Sequence, residues 1–255
     1  MDKGIGIAGI AGRMGRLLTE EVAAAGARLA GGIDRSGSGV AGAALFPDIA
    51  ALAAGSDVVV DFTHASTAIP HARAVAAAGT AWVLGTSGLS AADETAVAEA
   101  ARHVPVVYAP NFAPGVNLVL ALAEKLAAAL PAEQYDAEIV EMHHRQKVDA
   151  PSGTAIGMGR AVAKGRGVRL EDVAESGRDG HTGPRKTGAI GFAALRGGQV
   201  VGEHTLLFAA ATEHIALSHR AFDRRAFATG AIRAALWTQG RPPGLYSMMD
   251  VLGMR

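Results

Sequence analysis

The first half of the chain alternates short, uninterrupted apolar runs with alanine-rich stretches whose apolar residues recur at helical spacing. GIGIAGI (4–10) predicts a strand, followed by a glycine-rich turn and a helix from about Met14 to Ala25. RLAGGID (28–34) predicts a second strand and DVVVDFT (57–63) a buried third. The helical run HARAVAAAG (71–79) leads to strand-like WVLGTSG (82–88), and a helix near 90–102 leads to PVVYAPNF (105–112). Strands and helices alternating at this spacing build right-handed βαβ units, hence a parallel sheet covered on both faces. Runs such as Val58-Val59-Val60, apolar at successive positions, suit that double burial.

The texture changes after GVNLVLALAEKLAAAL (115–130), a helical pattern. AEIVEMHH predicts a strand and SGTAIGMGRAVAKG (152–165) another helix. The polar, glycine-rich segment 165–188 predicts a long loop. TGAIGFAALRGGQVVGEHTLLFAAATEHIALSHRA then carries three strand-like runs split by Gly-Gly and by Thr-Glu, the mark of an antiparallel meander. FATGAIRAALWTQG (227–240) returns to helix. The expected fold is therefore α/β, with a Rossmann-like parallel-sheet domain and a smaller α+β domain holding a mainly antiparallel sheet.

Charge and composition narrow the classes. The 255 residues carry 24 Lys and Arg against 24 Asp and Glu, so no net field attracts nucleic acid. Cysteine is absent, which excludes disulfides, thiolate metal sites and a cysteine nucleophile. The start MDKGIGIAGIAGRMG lacks the long apolar core and cleavage site of a signal peptide, and alanine runs such as AVAAAG are too short to span a bilayer. A soluble cytoplasmic protein with no membrane or nucleic-acid partner is expected.

Two stretches carry chemistry. GIAGIAGRMGR sets Gly9, Gly12 and Gly15 after the first strand and at the opening of the first helix. Such a turn closes tightly and lets backbone N–H groups reach a pyrophosphate at the helix N-terminus. The acidic residue expected about 20 positions on is Asp34, which ends the second strand. A chain with 33 glycines offers ordinary glycine turns too, but strand, helix and acid here stand in register. Asp34 suits the adenosine ribose hydroxyls of NAD, whereas Arg35 and Arg13 suit the 2′-phosphate of NADP. Use of both NADH and NADPH is expected. The GTSG turn (Gly85, Thr86, Ser87) and APNF (Ala109, Pro110, Asn111, Phe112) lie at the carboxyl ends of later strands, where such sheets bind ligands. Plain strand-to-helix turns would look the same.

The second stretch, EMHHRQKVDAPSGTA, crowds His143, His144, Arg145, Lys147 and Asp149 ahead of a helix start. Adjacent histidines on an extended segment point to opposite faces, so a shared metal ion is disfavoured and no metal site is expected. A solvated turn with clustered charge is the bland alternative. A third reading joins the pieces. Ser152 can cap a helix whose small first residues, Gly153 and Thr154, leave its N–H groups approachable to an anion. Lys147 adds positive charge, and a histidine can donate a proton near neutrality. Such a site suits an anionic substrate that accepts hydride and then a proton.

Together, GIAGIAGRMGR, VVVDFT, GTSG, APNFAPGVN, EMHHRQKVDAPSGTA, GHTGPRKTGAIGF and GEHTLLF resemble the 4-hydroxy-tetrahydrodipicolinate (dihydrodipicolinate) reductase family. The likeness spans nearly the whole chain, and the histidine-lysine segment is its most specific part. It implies an NAD(P)H-dependent oxidoreductase of the diaminopimelate route to lysine, reducing a cyclic imine dicarboxylate with loss of water. It further implies that His143 is the general acid and that Lys147 bonds or protonates the substrate. His144 would contact the substrate, and Ser152, Gly153 and Thr154 would cradle a carboxylate. An arginine late in the substrate domain maps to Arg225, with Arg224 beside it. Gly9, Arg13, Met14, Asp34 and Arg35 match cofactor positions around pyrophosphate and adenosine. Gly85, Thr86 and Ala109–Phe112 match the nicotinamide surroundings, and Phe62 of VVVDFT joins the cofactor set.

The resemblance also implies a cofactor domain of 1–114 with 226–255 and a substrate and oligomerisation domain of 115–225, hinged near Pro114 and Arg225. A homotetramer is implied, its interface on the meander from Thr187 to Ser218. The stretch between Gly37 and Ala54 is shorter than in longer members, and Asp34 stands where some relatives carry Glu. A related imino-acid dehydrogenase and a non-catalytic NAD(P)H-binding sensor are the competing readings.

Overall fold

In the computed structural model, which describes residues 3–254, the alternating first half runs β1 (Ile5–Ala8), α1 (Arg13–Ala24), β2 (Leu29–Ile33), α2 (Ile49–Ala54), β3 (Val58–Asp61), α3 (Ala68–Ala78), β4 (Ala81–Leu84), α4 (Ala91–Ala100) and β5 (Pro105–Tyr108). The second half runs α5 (Pro114–Ala129), β6 (Asp136–His143), α6 (Gly153–Gly165), α7 (Leu170–Val173), β7 (Ala174–Ser176), β8 (Ile190–Arg196), β9 (Gly202–Ala209) and β10 (His214–Ala221). The chain closes with α8 (Arg225–Trp237), β11 (Gly244–Tyr246) and α9 (Met248–Val251). Two compact units result: one runs to Pro114 and resumes at Arg225, the other is Gly115–Arg224. Arg225 thus falls in the first unit, one residue earlier than the expected boundary.

The first unit holds a six-stranded, all-parallel sheet in the order β11-β5-β4-β3-β1-β2. Its apolar runs are continuous because both faces are covered. Val58 and Val60 enter one core with Leu18 of α1 and Ile232 of α8, while Val59 enters the other with Leu52, Val75 and Val97 of α2, α3 and α4. The strand order reverses at β1, between β3 and β2. This switch point is where ligands of doubly wound sheets bind.

The second unit holds a five-stranded sheet in the order β10-β9-β6-β8-β7. It is mixed rather than a simple meander. The pairs β10–β9 and β9–β6 are antiparallel, whereas β6–β8 and β8–β7 are parallel. The reason is that β8 and β9 flank β6, so the Gly197-Gly198 turn joining them is not a hairpin. It passes over the end of β6, where the Gly197 amide donates to the His143 carbonyl at 2.9 Å. The predicted loop 165–188 contains α7 and the edge strand β7, each too short to show a period. The same shortness hid α2, β11 and α9.

Strand β6 shows how this sheet divides its labour. Its odd-numbered residues, Ala137, Ile139, Glu141 and His143, are buried on one face. The same alternation buries Gly202, His204, Leu206 and Phe208 of β9. Ala137 and Ile139 pack with Leu206, Phe208 and helix residues such as Met158 and Val162 into the unit's core. Towards the carboxyl end of β6 the same face turns polar. A buried polar group costs free energy unless it is hydrogen-bonded, so Glu141, His143 and His204 require built partners.

Candidate active site

Those partners converge on Glu141, which is 1 % exposed. One carboxylate oxygen accepts from His143 Nδ1 at 2.6 Å and Arg196 Nη1 at 2.8 Å. The other accepts from Arg196 Nη2 at 2.8 Å and the Ser152 backbone N–H at 3.1 Å. Burial alone would raise this carboxyl, but the hydrogen bonds and charges of Arg196 and His143 outweigh it and hold it below the usual glutamate range. Arg196 reaches this position because β6 and β8 pair with His143 opposite Arg196. Its Nη2 also donates to the Asp149 carbonyl at 2.7 Å, so one guanidinium secures both the buried carboxylate and the loop after β6.

That loop ends at Ser152, the N-cap of α6, whose hydroxyl accepts from the Ala155 amide at 3.2 Å. The same hydroxyl pairs with His204 Nε2 at 2.9 Å. Burial, and after it the neighbouring His143, lowers His204 to about 4, which keeps its ring neutral at pH 7. The His143 and His204 rings meet edge to face at 5.0 Å. A side chain at Gly202 would come within 3.0 Å of His143 Nε2, and one at Gly153 would meet open space. The His143 ring and the N-terminus of α6 therefore stand on either side of one buried carboxylate.

The remaining residues of this site are placed as follows. Lys147 Nζ donates to both Asp149 oxygens at 2.8 Å, and this bond lowers the Asp149 carboxyl. His144 Nδ1 is buried without a hydrogen-bond partner, and Thr154 lies in the first turn of α6. Arg225 stands elsewhere: as the first residue of α8 it pairs with Glu20 and Glu21 of α1 in the parallel-sheet unit. Substrate contact from Arg225 would require it to leave those carboxylates. Glu141, Arg196 and His204 were not singled out from the sequence, although Glu141 lies two residues before His143 and so shares its strand face. Among the described residues no group of three or more His, Asp or Glu side chains is arranged to hold a metal ion.

In the parallel-sheet unit, the glycine turn fits a dinucleotide. Gly9 has φ +79°, a left-handed conformation that favours glycine. A side chain at Gly15 would strike the Gly9 and Ile10 carbonyls, so α1 starts hard against the turn. Gly12 caps α1 without a side chain, which leaves the helix N-terminus approachable. A cavity of about 720 Å³ opens at the switch point, lined by Gly9, Asp34, Arg35, Thr63 and His71 among others. Asp34 accepts from the Ser36 hydroxyl and amide, which lowers its carboxyl and keeps it ionised. Arg13 and Met14 open α1 beside the turn.

Phe62 follows β3, and its ring meets Phe112 edge to face at 5.5 Å. A side chain at Gly85 would collide with that same Phe62 ring. Thr86 is buried with its hydroxyl unpartnered, and Ser87 follows it in the turn after β4. Ala109 and Phe112 are buried, Pro110 is exposed, and the Asn111 side chain accepts from the Ala113 amide. The Phe112 ring is core, so any cofactor contact from it would come through its backbone.

Comparison with known proteins agrees with both halves. Residues 3–112 match the family model "Dihydrodipicolinate reductase, N-terminus", and residues 115–252 match "Dihydrodipicolinate reductase, C-terminus". The 4-hydroxy-tetrahydrodipicolinate reductase of Granulibacter bethesdensis is 74 % identical over 254 residues, covering 98 % of this chain and 97 % of the relative. That of Acidiphilium cryptum is 63 % identical, covering 99 % and 98 %. A solved dipicolinate-bound dihydrodipicolinate reductase from a Paenisporosarcina species shares the fold at TM-score 0.78 and 24 % identity, over 96 % of this chain and 97 % of that one. The chain belongs to the 4-hydroxy-tetrahydrodipicolinate reductase family.

Proposed function

We propose that the family's reaction, reduction of 4-hydroxy-tetrahydrodipicolinate to tetrahydrodipicolinate with loss of water, proceeds in this chain with His143 as the proton donor. The chain is an oxidoreductase that performs this step of lysine biosynthesis by the diaminopimelate route. Gly9, Asp34 and Arg35 would hold a pyridine nucleotide, which when bound would supply the hydride for C4 of the substrate ring. His143 gives a proton to the adjacent carbon, and general acid catalysis of this kind is typically worth ~10²–10⁴-fold. The observation that carries the assignment is the His143 ring itself, held at Nδ1 by an ionised carboxylate beside the N-terminus of α6.

Lys147 supplies a cation, Ser152, Gly153 and Thr154 offer the helix N-terminus to a substrate carboxylate, and His144 adds a contact. Arg225 joins them only if it gives up Glu20 and Glu21. A non-catalytic sensor would have no use for a proton donor built this way.

Both NADH and NADPH serve as reductants in this reading. Asp34 and Arg35 line the same cavity, one suited to ribose hydroxyls and the other to a 2′-phosphate. The enzyme works in the cytoplasm as a homotetramer, with the uncovered sheet face that exposes Val140 and Leu195 as the contact. The test is loss of nicotinamide absorbance when freshly made cyclic substrate is added with either reductant. Turnover with both is expected. Turnover with one alone would refute dual use, and none with either, cofactor being bound, would refute the reading.

A further inference from the structure

We propose that Glu141 is the positioning residue of His143, selecting the tautomer with the proton on Nδ1 so that Nε2 is the nitrogen that exchanges protons with the substrate. The inference rests on His143 being the proton donor and deepens that reading. An imidazole has two nitrogens, and the partner of one decides what the other can do. Nδ1 lies 2.6 Å from Glu141, whose other three acceptor positions are filled by two Arg196 nitrogens and the Ser152 amide. An ionised carboxylate can only accept, so Nδ1 must be the donor. Nε2 is then bare in the neutral ring and carries the mobile proton in the charged one. With four bonds the carboxylate can neither rotate nor retreat, and His143 inherits that rigidity.

A second observation concerns the space at Nε2. Gly202, on the neighbouring strand, is the position whose side chain would stand 3.0 Å from that atom. Glycine there keeps Nε2 clear, while Glu141 fixes the opposite edge of the ring. Glu141 also accepts the amide of the residue that caps α6, so one carboxylate sets the distance between proton donor and helix N-terminus. A carboxylate behind a catalytic imidazole acts by this same tautomer control in acyl-transfer enzymes.

The experiment combines nitrogen-15 spectra of histidine-labelled enzyme with kinetics of three variants. At a pH where the ring is neutral, the His143 signals, assigned by their loss in His143→Gln, should show Nδ1 protonated and Nε2 bare. Glu141→Gln should lower turnover about 10- to 100-fold, less than loss of the acid itself, and shift His143 towards a mixture of tautomers. Gly202→Ala should lower turnover while leaving the Nδ1–H tautomer intact. A purely structural role for Glu141 would change thermal stability without moving the tautomer. If Glu141→Gln does not fold, the wild-type spectrum decides alone. A wild-type His143 protonated on Nε2, or a folded Glu141→Gln with turnover within about twofold of wild type, would overturn the proposal. Undiminished turnover in His143→Gln would instead remove the proton-donor reading and leave the tautomer measurement standing.

Discussion

At the scale of single residues, the site is a set of groups that would each be costly to bury alone. Glu141 is 1 % exposed and tolerates burial because Arg196 and His143 face it with opposite charge and hydrogen bonds. Arg196→Ala strands that charge, and about 3–5 kcal/mol of stability should be lost, measured as a fall in the urea midpoint. A midpoint unchanged from wild type would show that the pair does not hold the strand ends together. The pH response follows from the same neighbourhood. His204 falls from an ordinary 6.5 to about 4, so as pH drops the unfolded chain takes up a proton before the folded one does. Stability should therefore decline through that window and this contribution should level off below it, with Glu141 adding its own loss once pH falls beneath the ordinary 4.5. His204→Gln should flatten the upper part of the slope in denaturation midpoints. A slope identical to wild type would contradict the assignment. His143, Lys147 and Ser152 were legible in the sequence because they sit in one short polar stretch. Arg196 was not, because it lies 55 residues from Glu141 and only strand register brings the two together.

At the scale of elements, a strand face can be apolar core at one end and a polar candidate site at the other. In β6 the alternation of Ala137 and Ile139 simply continues into Glu141 and His143. The polar residues at core-facing positions were visible in AEIVEMHH, but their meaning depends on α6 covering that face. The long apolar strands and helices were readable from period alone, whereas α2, α7, β7, β11 and α9, of three to six residues each, carry no period. The mixed order of the second sheet was also hidden, since a Gly-Gly turn looks the same whether it joins neighbours or crosses a third strand. The glycine turn of the first unit makes a claim of its own. Gly15→Ala pushes a methyl into the Gly9 and Ile10 carbonyls, so α1 must shift. It should cost about 1–3 kcal/mol of stability and weaken NADH and NADPH binding in calorimetric titration. Unaltered binding by a folded Gly15→Ala enzyme would separate the turn from the cofactor.

At the scale of the whole molecule, each unit carries its own set of candidate groups. The parallel-sheet unit offers a glycine turn and the cavity at its switch point, and the mixed-sheet unit offers the Glu141-bound His143 ring beside a helix N-terminus. Family membership spans both, from residue 3 to residue 252. The texture of the sequence changes only after residue 130, whereas the compact units part at Pro114. The placement of Arg225 was not legible in the sequence, because α8 returns it to α1 of the first unit. The central claim, that His143 delivers the proton in the reduction, is tested most directly by the steady-state turnover of His143→Gln with saturating reductant and substrate. Turnover should fall by ~10²–10⁴-fold with the Michaelis constant changing far less. Turnover equal to wild type would contradict the claim and move the proton to another group.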